Sequence, residues 1–299
     1  MPRQILLALR LITALFALLQ PATAGPERVA ILGDSITYDG RWPTRVEAAL
    51  LATPPFSDAE IVDFGIGSET VSGLSEPGHA GGKFPRPCLH ERLERILNAF
   101  HPTLILACYG MNDGIYLPLD ATRFQAYKDG IENLKTAADR HHARIIFITP
   151  PLHNADKPAT DPNRYDAVLD TYGDWLVSRR ADGWQVIDIR PDLKKAVAAE
   201  KSKNPAFLYA NDNVHPGDEG HRFIAESVTR QLWPILKLPG TPAVPGNDAY
   251  AILRRRSEIL KLAWLTKTRH LRPGIPAGLP VEEGESQAAK LMEEYKAAK

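Results

Sequence analysis

Three short clusters carry side chains suited to acyl-transfer chemistry. Gly33, Asp34 and Ser35 follow directly on the apolar run 29–32, which reads as a strand, so the Ser35 hydroxyl falls at a strand's carboxyl end. In open α/β sheets that edge is where ligands bind. A serine attacks a carbonyl only once a base takes its proton, and the base works best when a carboxylate holds it in one tautomer. Asp212 and His215, on an irregular stretch stopped by Pro216, meet that need. Two other Asp/His pairs share the spacing. His142 precedes the strand pattern at Arg144 and so lies at the amino edge, while His221 sits within a helical pattern that Asp218 is expected to cap. Charge developing on the carbonyl oxygen also needs donors aimed at it. Asn112, in Gly110-Met111-Asn112-Asp113 after another apolar run, offers a side-chain amide, and Gly65-Ile66-Gly67-Ser68 after a third offers backbone amides. Read purely as structure, Ser35 would cap a helix and Asn112 would close an Asx-turn.

These residues need a frame that brings positions 35 and 215 together. From Arg28 onward, short apolar runs alternate with segments of helical period, the pattern of a parallel sheet with helices on both faces. Strands are predicted at 29–32, 61–64, 104–109, 144–149 and 185–189, and helices at 44–51, 89–100, 122–140, 163–181 and 218–233. Tyr165, Val168, Leu169, Tyr172 and Trp175 give the fourth helix one apolar face. The sequence LPGTPAVPGN cannot continue a helix, which divides the chain into a main domain over 27–236 and a linker with a helical extension over 237–299. In that extension Ile252, Leu253, Ile259, Leu260, Ala263 and Trp264 form an apolar stripe that needs covering, so it is expected to pack on the main domain. Residues 251–272 carry seven Lys or Arg against Glu258 alone, and a solvated polar face is preferred over contact with an acidic polymer.

Composition bounds the rest. The chain has 299 residues, 36 basic and 36 acidic, with 44% hydrophobic, which supports a core and excludes a disordered or fibrous chain. Arg3, the apolar stretch 5–19 and Ala22-Thr23-Ala24 read as a signal peptide over 1–24. That stretch is short of the roughly 20 residues a spanning helix needs, so export to the periplasm or beyond is expected, without stable membrane insertion after cleavage. Loss of Arg3 and Arg10 leaves 34 basic against 36 acidic residues, a poor balance for binding nucleic acid. Two cysteines, Cys88 and Cys108, make neither a disulfide framework nor a zinc site, and no metal is expected. Two glycine-rich stretches fail as phosphate loops: Thr70 stands where GxGxxG needs its third glycine, and Phe84 follows Lys83 where Ser or Thr is required. Residues 68–87, with His79, Lys83 and Arg86, instead read as a long loop beside the site.

Taken in order, GDS, the glycine-rich turn, GxND and DxxH resemble the SGNH hydrolases, the GDSL-type esterases and lipases, over roughly residues 27–233. The resemblance implies a flavodoxin-like three-layer sandwich on a five-stranded parallel sheet. It implies Ser35 as nucleophile, His215 as base and Asp212 as its partner, with an oxyanion hole made by the Ser35 amide, the Asn112 side chain and an amide of Gly67 or Ser68. Ile36 stands where the name-giving motif has leucine. An ungapped match puts Ser68 at the family's oxyanion glycine, yet Gly67 is slightly preferred because glycine tolerates unusual backbone angles. No cofactor is implied. The expected reaction is hydrolysis of a carboxylic ester through an acyl-enzyme, with O-acetyl groups on carbohydrate first and longer-chain esters or thioesters second. A catalytically silent carbohydrate-binding module is the non-enzymatic alternative.

Overall fold

The computed structural model describes residues 26–153, 164–243 and 246–298. The expected signal peptide, and Asn163 at the start of the expected fourth helix, lie outside the described residues. Five strands, β1 (Arg28–Gly33), β2 (Glu60–Asp63), β3 (Leu104–Cys108), β4 (Arg144–Ile148) and β5 (Gln185–Ile187), form one all-parallel sheet in the order β2-β1-β3-β4-β5. Every residue of β3 is buried. Strands apolar on both sides can be satisfied only when helices cover both faces, as in parallel sheets. Gly33 pairs with Cys108, so β1 and β3 end level with each other. The strand order reverses between them, which is the crevice where doubly wound sheets of this order bind ligands.

The helices are α1 (Ser35–Tyr38), α2 (Arg41–Leu51), α3 (Leu89–Phe100), α4 (Ala121–Arg140), α5 (Tyr165–Ser178), α6 (Arg190–Lys203), α7 (Asp218–Leu236), α8 (Asn247–Thr268) and α9 (Val281–Ala298). One layer holds α3, α4 and α5, the last two joined by Tyr172, which stacks on Tyr127 at 4.5 Å and on Phe124 at 5.1 Å. The other holds α2, α6 and α7. Helix α6 was not expected from the sequence, since it buries only Leu193 and Val197 of its apolar residues, a stripe too thin to stand out among its lysines and glutamates, whereas α8 and α9 make up the expected helical extension. The helix α7 runs past its expected end to Leu236, because Pro234 falls in the last turn and the chain closes with Leu238 N–H on the Trp233 carbonyl at 3.0 Å. Asp218 does not cap it. Gly217 is the cap residue, and Asp218 turns outward to Arg41 at 2.6 Å.

The extension lies along the β2 edge, where α8 meets α2, α3 and β2. Leu253, Leu260, Ala263 and Trp264 are buried, with the Trp264 ring 5.1 Å from Phe100 and 6.2 Å from Phe64, edge to face, while α9 covers the opposite side of α8. Its basic residues form a solvated face only in part, since Arg255, Lys267 and Arg269 are exposed while the other four are not. Arg256 pairs with Glu47 of α2, both buried, and Lys261 is 2% exposed. For Arg254, Arg256, Lys261 and Arg272 the expectation of a solvated face fails, because these cations reach acceptors on the main domain.

Candidate active site

The helix α1 begins at the end of β1 because Asp34, not Ser35, caps it: Oδ1 of Asp34 accepts from Ile36 N–H at 2.9 Å. Two glycines let this short helix nest against the sheet end. A Cβ at Gly33 would lie 2.1 Å from Thr37 Oγ1, and one at Gly65 would lie 2.4 Å from Tyr38 N. Burial pushes the Asp34 carboxyl up to about 7, and the Ile36 hydrogen bond pulls it back only in part. Ser35 is thereby left at the first helical position, with its amide free of any intrahelical acceptor and its hydroxyl facing out.

Across 180 positions of sequence, the Ser35 hydroxyl meets His215 Nε2 at 2.8 Å. On the other side of the ring, Nδ1 lies 2.6 Å from Asp212 Oδ2, and Asp212 Oδ1 accepts the amides of Val214 at 3.0 Å and His215 at 2.7 Å. Asn213 takes a positive φ of 70° and a bridge between Ala210 and Pro216 closes the loop, so one tight turn presents both groups. Burial raises the Asp212 carboxyl, but its hydrogen bonds from the His215 ring and from the two amides outweigh it and hold the group at about 2. The pair is open to solvent, with side chains 57% and 49% exposed for Asp212 and His215. His142 lies just before β4, at the opposite edge of the sheet. His221 is buried in α7, 3.5 Å from Asp39 Oδ1, and burial pushes its imidazole down to about 4.

Asn112 follows the end of β3 and is buried. Its Nδ2 donates to the Glu69 carbonyl at 3.1 Å, and its Oδ1 accepts from Arg86 Nη1 and from the Tyr116 hydroxyl, each at 2.9 Å. Arg86, itself buried, is gripped by both oxygens of Glu76 at 2.6 Å. Asp113 Oδ1 accepts the amides of Val71 and Ser72, at 2.9 and 2.8 Å, which ties down the start of the long loop. The glycine-rich turn runs beside α1, because Ile66 N–H donates to the Gly33 carbonyl at 3.0 Å. Its positive φ, 68°, falls on Ser68 rather than Gly67, so the reason for preferring Gly67 does not hold. The amides of Gly67 and Ser68 have no acceptor among the described residues.

Sequence reasoning missed the part the extension takes. Lys261 Nζ donates to the Tyr38 carbonyl at 2.6 Å, Arg254 Nη2 to that of Asp39 at 2.9 Å, and Arg272 Nε to that of Gly67 at 3.2 Å. The first two satisfy carbonyls left over at the end of α1. The excess of Lys and Arg was the only sequence sign of this. Among the described residues no group of three or more His, Cys, Asp and Glu could hold a metal ion, and no helix is long and apolar enough to cross a membrane.

The model of the GDSL-like Lipase/Acylhydrolase family matches residues 31–223. No curated protein sequence matches the chain. Among solved structures, an acetylxylan esterase from Geobacillus stearothermophilus is 23% identical, with a TM-score of 0.54 over 69% of this chain and 94% of that one. An alpha/beta hydrolase enzyme from the metagenome of Lake Arreo, Spain, is 22% identical, with a TM-score of 0.53 over 70% of this chain and 95% of that one. A gut microbial diltiazem-metabolizing enzyme is 21% identical, with a TM-score of 0.53 over 69% of this chain, which spans only 46% of that longer one. Likeness at these identities establishes a shared fold.

Proposed function

The chain is an ester-hydrolysing serine hydrolase that belongs to the GDSL-like Lipase/Acylhydrolase family, and from that premise we propose that it is an exported O-acetylesterase acting on carbohydrate. Ser35 attacks the ester carbonyl as His215 Nε2 takes its proton. Asp212, on Nδ1, keeps Nε2 free to accept and offsets the charge of the imidazolium. The oxyanion is met by the Ser35 amide, the Asn112 side chain and an amide of the turn 66–69. His215 then returns its proton to the departing sugar hydroxyl, and a water activated by the same imidazole releases acetate.

The observation that carries this reading is the relay of 2.8 and 2.6 Å from Ser35 through His215 to Asp212, standing at an open surface. An acetyl group on a bulky chain can reach such an open site, since so short an acyl group needs little apolar surface to bury. The fold shared with an acetylxylan esterase points the same way. Export rests on the signal-peptide pattern of residues 1–24, and an N-terminus beginning at Gly25 in secreted material would support it. Ser35→Ala should lower kcat by roughly 10⁴ to 10⁶ and abolish labelling by an organophosphonate ester. In a chain-length series of nitrophenyl esters, turnover should peak at acetate. A second reading, hydrolysis of longer acyl esters, is favoured by exposed Leu117 and Leu119, in the loop after Asn112, and by Leu208, just before Asp212. A peak at long chains would establish that second reading and reject the first.

A further inference from the structure

Residues 66–69 form a β-turn in which Glu69 N–H donates to the Ile66 carbonyl at 3.2 Å, with positive φ at the third position alone, Ser68. That combination defines a type II turn. Its third position favours glycine, because a Cβ there crowds the backbone. Here the glycine stands one residue early and the crowded position falls on a serine. A type I turn needs no positive φ, and the two types interconvert by turning over the single peptide plane between Gly67 and Ser68. Left to itself, this sequence favours the turned-over form.

Arg272 opposes that flip. Its Nε donates to the Gly67 carbonyl at 3.2 Å, while its guanidinium lies 4.4 Å over the Phe84 ring and its Nη1 bonds the Pro273 carbonyl. A flip would replace the carbonyl with the Ser68 N–H, setting donor against donor. In the observed trans peptide the Ser68 N–H points the opposite way from the Gly67 carbonyl, away from Arg272, and has no acceptor among the described residues. The same turn touches the Gly33 carbonyl beside the nucleophile through Ile66, and the Asn112 side chain through Glu69. We propose that Arg272 is a positioning residue: from the C-terminal extension it locks the Gly67–Ser68 peptide so that the Ser68 N–H serves as an oxyanion donor. This rests on the hydrolase reading above and gives the extension a part in the chemistry.

The test is a double-mutant cycle on nitrophenyl acetate with thermal melting of every variant. Arg272→Ala should lower kcat about 10- to 100-fold, toward the roughly 10² to 10³ for outright loss of a donor, and leave KM within about threefold, since its role is to hold the peptide rather than to bind substrate. Adding Ser68→Gly removes the Cβ that favours the flip, so the double variant should recover to within about threefold of Ser68→Gly alone. Arg272→Met, which keeps the length of the side chain but carries no donor, gives the same comparison if alanine loosens the extension. Rescue by glycine is the readout a merely structural role would not move. Unchanged kcat in Arg272→Ala, a loss confined to KM, or a loss that glycine does not rescue would each overturn the proposal while Ser35→Ala stays inactive. Full turnover by Ser35→Ala would instead reject the hydrolase assignment on which it rests.

Discussion

Asp34→Asn isolates the charge buried next to Ser35 in the chain. The carboxyl is 2% exposed, and its Oδ1 makes the capping bond to Ile36 N–H, which an asparagine oxygen can also make. Burial carries the group from 3.8 to about 7 in the folded chain. Because the folded value lies above the unfolded one, folding favours the protonated form. The contribution to stability is complete below about pH 3.8 and is lost as pH rises through about 7. A difference of roughly three units at about 1.36 kcal/mol each makes the ionised carboxylate cost on the order of 4 kcal/mol above pH 7. The asparagine does not ionise. Its stability relative to the parent should therefore improve by about 2–4 kcal/mol between pH 4.5 and pH 8, whatever its sign at either pH. Urea unfolding at the two pH values measures this, and pH effects from other carboxyls largely cancel between parent and variant. A difference between the two proteins that is the same at both pH values would refute the argument that burial governs this group.

Other outcomes follow from the same geometry. Arg86→Met removes the donor-only partner of Asn112 Oδ1 and leaves Tyr116, whose hydroxyl can face either end of the amide; kcat should fall by up to about tenfold. In an Asn112→Ala background the same change should cost nothing further, and an additive loss would show that Arg86 acts elsewhere. Trp264→Ala empties a site 4% exposed between Phe64 and Phe100, which should cost about 3–5 kcal/mol and lower Tm by on the order of 10 °C. A shift of under about 3 °C on circular-dichroism melting would mean that the extension contributes little to the fold.

Much of the fold was legible because its strands are buried on both faces. Such strands must be continuous apolar runs, as 104–108 is, and whatever follows each run lands on the carboxyl edge. That logic located Ser35, Asn112 and the turn at Gly67 and Ser68, and it separated Asp212 and His215 from two decoys of equal spacing by their position relative to strands. Helix α6 escaped it, since its burial is too slight to leave a period.

What sequence alone determined was a set of candidate side chains and the sheet edge they share, because side-chain identity and apolar periodicity are local properties. Tertiary structure alone decided how those groups are aimed. Lys261, Arg254 and Arg272 act on backbone carbonyls some 200 residues away, and a carbonyl looks the same at every position in a sequence. The positive φ at Ser68 likewise contradicts the local preference for glycine, and it persists because distant parts of the chain, arriving only on folding, hold the peptide there.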